Sequence, residues 1–354
     1  MMKVLKQKVT IDDVAKAAGV SKQTVSRAIN NKGEISTRTR EKVMAIVKKM
    51  GYRPNRMAQA MNTSRSHMIG LVVPDITNPF FPELVRAVQD AAMANGYTAL
   101  ICNIDETKEV EVLYDLVAHG IDGLITFTHQ ASETAIAGFA NKFGPLLIIN
   151  REFDLLIDHP NVTNLVVDNL NGAYQAVTHL IELGHEKIGM LTNTHFPSDK
   201  TRRVQGYRQA MDEKKLALSD DLIVGQEPTL AGGHEATKTL LAQRPDITAI
   251  FTYNDLMGLG AIRACRDLGL SVPNDISVIG FDDIQLSSMV TPALSSIQVD
   301  KYEMGKLAFE RVFSLIQDPL QNREKIEMKT MLMNRESTGA VRSTQPNLTK
   351  LFDS

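Results

Sequence analysis

Tryptophan is missing from this 354-residue chain, aromatic residues amount to 5%, and only two cysteines occur. Cys102 and Cys265 lie far apart, with no histidine cluster beside either. That spacing excludes a disulfide framework and a zinc-binding pattern, and it predicts two small buried hydrophobes in a reducing compartment. No window approaches the roughly 20 uninterrupted apolar residues that a membrane helix needs. The opening Met1-Met2-Lys3-Val4-Leu5-Lys6-Gln7-Lys8 is charged with no apolar stretch behind it. No secretory signal is read there, so the expected location is cytoplasmic and a secreted ligand carrier is not expected.

Catalytic signatures are missing as well. Neither a GxxxxGK[ST] phosphate loop nor a GxSxG nucleophile elbow occurs. His185-Glu186 and His234-Glu235 lack the second histidine of a zinc helix, and His119, His129 and His195 stand apart. Gly258-Leu259-Gly260 meets Arg263 where a dinucleotide fingerprint has its third glycine, and it falls inside a predicted helix. No catalytic residue, metal ligand or cofactor is therefore assigned, and an enzyme is not expected.

What the chain does have is a lopsided charge. Its net −2 hides fifteen Lys or Arg against four Asp or Glu in residues 1–65, with an excess of −13 over the remainder. A compact basic head on an acidic body is an electrostatic footprint for nucleic acid confined to the head.

The head reads as three short helices. Thr10-Ile11-Asp12-Asp13 is a capped helix start, followed by Val14, Ala15 and Ala18 at helical spacing and stopped by Gly19. Ser21 caps a second helix from Lys22 to about Asn30, with Val25, Ala28 and Ile29 inside and Lys22, Gln23, Thr24, Ser26 and Arg27 outside. A third helix is predicted over 37–50, with Val43, Ile46, Val47 and Met50 as its stripe and Gly51 as its end. Two short helices joined by a glycine turn form a helix-turn-helix, whose second helix enters the major groove N-terminus first. There Gln23 can pair with adenine, Arg27 with guanine O6 and N7, and Thr24 with a thymine methyl or a phosphate.

The stretch VTIDDVAKAAGVSKQTVSRAINNKGEISTRTREKV, with GYRPNRMAQAM after it, resembles the DNA-binding head of the lactose-repressor (LacI/GalR) family over residues 9–61. The resemblance implies that Lys22, Gln23 and Arg27 read bases, while Thr10, Ser21, Thr24, Ser26 and Asn30 hold phosphates or support them. It also implies a hinge helix over 55–61 that orders on DNA, pairs with its dimer mate and wedges the minor groove. Tyr52, Asn55, Arg56, Ala58 and Met61 are the implied contacts of this stretch. Met61 stands at the wedge position, where the family usually has leucine. A helix this short is marginal alone because nucleation is costly, and an apolar wedge unstacks a base step and kinks the duplex.

Beyond Ser66 apolar runs at 69–73, 98–102, 123–127, 146–149, 165–167, 188–191, 249–252 and 278–281 alternate with amphipathic helical stretches. This alternation predicts an α/β fold of doubly wound parallel sheets. About 280 residues exceed what one core usually holds, so two lobes are expected. Ligands of such folds bind at the carboxyl ends of strands. Here those ends carry Asp75 to Phe81, Asn150-Arg151-Glu152, Asp168-Asn169, Asn254-Asp255 and Asp282-Asp283.

The resemblance extends more diffusely over the body, through IGLVVPDITNPFF, GHEKIGMLT, RRVQGYRQAM and VIGFDD. It implies a periplasmic-binding-protein-like, two-lobed effector domain crossed by three strands. Asn78, Phe80 and Phe81 would form the first lobe's rim, Asn150 and Arg151 the junction, and Arg203, Asn254, Asp255 and Asp282 the second lobe's contribution. Either arginine can fork onto ring oxygens, a carboxylate or a phosphate. The expected layout is a head at 1–53, a hinge and linker at 54–65, an effector and dimerisation domain at 66–341, and a tail at 342–354. Within the domain, the first lobe takes 66–164 and 296–325 and the second takes 165–295 and 326–341, with 327–333 closing the second lobe. The tail offers only Leu348 and Leu351, not the leucine heptad of tetrameric family members, so a homodimer is expected. The function implied is a transcription regulator, a repressor on a palindromic operator, with operator DNA and a sugar or sugar-derived effector as partners.

Overall fold

The computed structural model describes residues 9–29, 33, 35–53, 65–104, 108–128, 131–151, 159–194, 197–318 and 325–342. The chain divides into two compact units, Met1–Ser66 and His67–Ser354. Asn30, Asn55, Arg56, Ala58 and Met61 lie outside the described residues.

In the first unit, α1 (Ile11–Ala18), α2 (Lys22–Ile29) and α3 (Thr37–Met50) enclose a small core of Val14, Ala15, Ala18, Val25, Ala28 and Val43. Thr10 and Asp13 form the expected reciprocal box: Thr10 Oγ1 accepts from the Asp13 amide, and Asp13 Oδ2 accepts from the Thr10 amide at 2.8 Å. The Thr10 amide and the Thr10 hydroxyl both donate to this carboxylate and hold it below the usual range. Gly19 (φ +65°) and Gly51 (φ +64°) end α1 and α3 in the left-handed conformation that glycine takes without a Cβ penalty. Ser36, not singled out from the sequence, caps α3 by accepting from the Thr39 amide.

Among the described residues the second unit holds two six-stranded sheets. The first contains β1 (Met68–Val73), β2 (Thr98–Asn103), β3 (Gly123–Phe127), β4 (Leu146–Ile149), β5 (Val162–Val167) and β11 (Ile326–Met328). Its order is β11-β5-β4-β3-β1-β2, all parallel. The second contains β6 (Ile188–Asn193), β7 (Ile223–Gln226), β8 (Ala249–Thr252), β9 (Ser277–Asp282), β10 (Ser295–Gln298) and β12 (Met331–Met333). Its order is β12-β10-β9-β8-β6-β7, with only the β10–β12 pair antiparallel. Strand order reverses beside β1 in one sheet and beside β6 in the other, which places a crevice at the carboxyl ends of both.

Helices cover both sheets. On the first, α4 (Phe81–Ala94) packs against α11 (Lys301–Gln317), and α5 (Glu109–Ala118) packs against α6 (Glu133–Ala140). On the second, α7 (Asn169–Glu182) packs on α8 (Pro197–Glu213), and α9 (Leu230–Gln243) on α10 (Asp255–Asp267). The chain therefore crosses between sheets after β5, after β10 and between β11 and β12.

The strands depart from the sequence expectation at three places. Residues 162–167 run as one strand of the first sheet, so the first crossing follows Val167 rather than residue 164; Thr163 and Asn164 pair with β4 although they are polar. Residues 295–298 remain in the second sheet and the return follows Gln298, because Ser295 and Ser296 form a fully buried strand without an apolar signal. Residues 327–333 are not one strand of the second lobe. They break at Lys329-Thr330 into β11, parallel to β5, and β12, antiparallel to β10.

Gly258-Leu259-Gly260 does lie inside a helix, and Gly260 has a packing role. A Cβ there would sit 2.2 Å from the Leu230 carbonyl oxygen and 2.7 Å from the His234 nitrogen. Gly260→Ala must push α9 and α10 apart, which is expected to cost about 1–3 kcal/mol. In urea unfolding this appears as a lower midpoint at an unchanged slope.

Candidate functional site

The start of α2 presents the polar face read from the sequence. Ser21 and Gln23 are exposed, and Thr24, Ser26 and Arg27 are half-buried beside them. Ser21 Oγ accepts from the Thr24 amide at 3.1 Å, so it caps the helix. Lys22 Nζ lies 2.6 Å from Asp12 Oδ1, with both side chains largely in solvent. Exposed pairs of this kind are weak, so the ammonium can exchange Asp12 for a phosphate or a base edge. Tyr52 packs against the head core, and burial pushes its phenol pKa up.

In the body, a cavity of about 230 Å³ lies at the carboxyl ends of strands from both sheets. Seven of the nine effector-site residues named from the sequence line it: Asn78, Phe80, Phe81, Asn150, Arg203, Asn254 and Asp282. Phe80 and Phe81 meet edge to face at 5.2 Å, and Phe81 meets Phe127 at 5.1 Å, which builds one apolar wall. Asn150 (φ +59°) and Asp282 (φ +104°) stand at strand ends in positive-φ backbone, a region where Asn and Asp are enriched among residues with a Cβ.

Arg203 is the charged centre of the cavity. It is 4% exposed, Nε donates to Asn169 Oδ1 at 2.8 Å, and Nη1 donates to the Tyr253 carbonyl. Nη2 reaches Asp282 Oδ1 at 3.4 Å, and the guanidinium lies 3.6 Å from the Phe281 ring centroid. Burial pushes the Asp282 carboxyl above its usual range, while Arg203 and Lys301 oppose the shift. Lys301, which no sequence pattern singles out, is buried and donates to the carbonyls of Asp282 (2.8 Å), Asp283 (2.9 Å) and Val299 (3.1 Å).

Two expected residues do not line the cavity. Asp255 is fully buried behind it, accepting from the Ile284 amide at 2.7 Å, Ser287 Oγ at 2.7 Å and Ser296 Oγ at 2.5 Å. Asn254 caps α10 through the Met257 amide and keeps the cavity side, while the next residue turns toward the sheet. Gly280 makes room there, since a Cβ on it would lie 2.1 Å from Asp255 Oδ1. Burial, reinforced by Asp282, pushes Asp255 up to about 7. Arg151 is half-buried away from the cavity, its pKa lowered by burial and supported by the carboxylates of Glu109 and Glu133. Lining residues missed by sequence reasoning include Glu227, Pro228 and Thr229, which follow β7, Tyr253, which follows β8, and the apolar Val167, Leu256 and Val299.

A family model described as bacterial regulatory proteins, lacI family, matches residues 10–55, and one described as a periplasmic binding protein-like domain matches residues 177–338. The chain is 37% identical to the HTH-type transcriptional regulator DegA of Bacillus subtilis, over 94% of this chain and 98% of that protein. It is 35% identical to the ribose operon repressor of Escherichia coli, over 93% of this chain and 99% of that protein. A solved lac repressor dimer bound to operator and the anti-inducer ONPF matches with a TM-score of 0.83 at 28% identity, covering 94% of this chain and 100% of that one.

Removing Arg203 leaves Asp282, whose side chain is only 13% exposed, without its ion-pair partner. Arg203→Met is expected to lower stability by about 3–5 kcal/mol, and Arg203→Met combined with Asp282→Asn by less than the sum of the two single changes. Urea unfolding of the three variants checks this. Asp255 adds a pH dependence of opposite sign to that of a paired carboxylate. Its folded value near 7 exceeds the ordinary 3.8, so the folded state binds more protons between these values and the group's contribution to stability falls as pH rises through that window. Asp255→Asn is expected to flatten this part of the pH–stability profile, measured by unfolding between pH 4 and 7.5, about the same window.

Proposed function

The chain belongs to the LacI family of bacterial regulatory proteins, and from that premise we propose that it represses transcription as a homodimer on a palindromic operator under control of a sugar or sugar-derived effector. It is a DNA-binding transcriptional regulator and not an enzyme. The observation that carries the proposal is the exposed polar start of α2 on a helix-turn-helix core, joined to a body whose cavity at strand ends combines an apolar wall with carboxylate, amide and guanidinium groups.

In this proposal Lys22, Gln23 and Arg27 read base edges in the major groove, and Thr10, Ser21, Thr24, Ser26 and Asn30 hold or support phosphates. Tyr52, Asn55, Arg56, Ala58 and Met61 serve the hinge over 54–65, with Met61 as the minor-groove wedge. The head takes 1–53, the effector and dimerisation domain 66–341, and the tail 342–354. The effector sits against Asn78, Phe80, Phe81, Asn150, Arg203, Asn254 and Asp282, where a sugar's apolar face stacks on phenylalanine and its hydroxyls meet carboxylate, amide and guanidinium. Closure of the lobes around it shifts the equilibrium between head arrangements. No helix among the described residues is long and apolar enough to cross a membrane. Operator binding places the working protein in the cytoplasm.

A second reading, non-specific DNA compaction, is separated by footprinting: a discrete palindromic footprint supports the regulator, and smeared protection supports compaction. Deleting residues 1–63 is expected to abolish binding to DNA selected by the full chain from a random pool, and retained affinity overturns the assignment. Arg27→Ala is expected to cost about 1–3 kcal/mol at the selected site and to relax specificity at one base position, with little change on unrelated DNA. Competition gel shifts at fixed salt read both effects.

A further inference from the structure

The charge around the cavity narrows the class of sugar, an inference that rests on the effector-binding proposal above. Among the described lining residues three carry carboxylates, Asp75, Glu227 and Asp282, and one carries a cation, Arg203. Each of that guanidinium's three nitrogens already donates to the protein, on Asn169 Oδ1, the Tyr253 carbonyl and Asp282 Oδ1. With five N–H donors in all, Arg203 keeps two for a ligand. The other buried cation beside Asp282, Lys301, spends three donors on backbone carbonyls and does not line the cavity.

A phosphate or carboxylate bound away from water needs a surplus of positive charge and several unshared N–H donors, usually a bidentate arginine. Among its described lining residues this cavity has a surplus of negative charge instead, and its one lining cation has already spent three of its five donors. A second anion beside Asp282 would compete for the same guanidinium and leave one of the two poorly compensated in a dry site. The exposed carboxylates extend the field to the mouth on both sides: Asp75 follows β1 of the first sheet, and Glu227 follows β7 of the second. Asp75 is fixed there, because its Oδ1 accepts from the Thr77 amide at 2.8 Å and the Thr77 hydroxyl at 2.6 Å. Like charges lining a cleft lower the local concentration of an anionic ligand and raise that of a cationic one. Hydroxyl and ammonium groups, by contrast, donate to carboxylates.

We infer that the cavity accepts uncharged or amine-bearing sugars and rejects sugar phosphates and sugar acids, with Asp75 and Glu227 as the residues that set this choice at its mouth.

The test uses the full chain and matched probes followed by isothermal titration and thermal shift. The sets are D-ribose with ribose 5-phosphate, D-glucose with glucosamine, glucose 6-phosphate and gluconate, and D-galactose with galactose 6-phosphate and galacturonate. Within the set that binds, the neutral or amine-bearing member is expected to bind at least about tenfold more tightly than its anionic counterpart. The Asp75→Asn, Glu227→Gln double variant, altered only at exposed positions, is expected to shrink that ratio by on the order of tenfold through improved binding of the anionic member. A phosphate or acid that binds as tightly as its neutral counterpart overturns the charge selection and leaves the sugar proposal standing. An unchanged ratio in the double variant overturns the assignment to these two carboxylates. Binding by nucleobases and by no sugar of any set overturns the effector proposal itself.

Discussion

Taking a guanidinium out of water is expensive unless every donor finds an acceptor and the charge a partner. Arg203 meets most of that demand, one bond from each nitrogen, with an amide from α7, a carbonyl after β8 and a carboxylate at the end of β9, and it lies on the face of Phe281. The surroundings of the cavity follow from those four attachments. They fix where β8 and β9 end relative to α7 and α8, and they hold Asp282 in a backbone conformation that few residues with a Cβ adopt. The desolvated carboxylate then needs more positive charge than one distant guanidinium nitrogen supplies, and Lys301 provides it.

Lys301 is an unusual choice for its place. It is the first residue of α11, where the helix dipole disfavours a cation. Three carbonyl acceptors offset that, and they come from the strand end at Asp282-Asp283 and from Val299. Since α11 packs on the first sheet while β9 belongs to the second, one ammonium joins the rim of the cavity to a crossing between lobes. Two cavity residues, Asp282 and Val299, are therefore tied to the segment along which the lobes are connected.

The parts legible in the sequence are those set by neighbours a few residues away. The Thr10–Asp13 box, the stops at Gly19 and Gly51 and the inner face of α2 are local, and they stand where the spacing predicted. Most body strands announce themselves as apolar runs buried on both faces. β7 does not: with Ile223 and Val224 half-buried at a sheet edge it carries too little apolar signal to mark Glu227 as a strand-end residue. β10 hides for a different reason, since its buried serines satisfy themselves by hydrogen bonding. The choice between Asn254 and Asp255 was equally out of reach. It is made by Ser287 and Ser296, 32 and 41 residues further on, and no local periodicity contains them. Arg151 likewise answers to Glu109 and Glu133, which the sequence places on other elements.

The three crossings also decide the order in which the protein can be completed on the ribosome. The head is one contiguous segment and can close as soon as it is clear of the exit tunnel. The first lobe cannot, because Ala308, Phe309 and Val312 of its core and its edge strand β11 are translated only after most of the second lobe. Its early strands must wait with β3 to β5 uncovered on the side where α11 later packs beside α4, which is the state in which apolar surface and open strand edges invite association with other chains. A nascent chain stalled near residue 300 thus carries a finished DNA-binding head on an unfinished body.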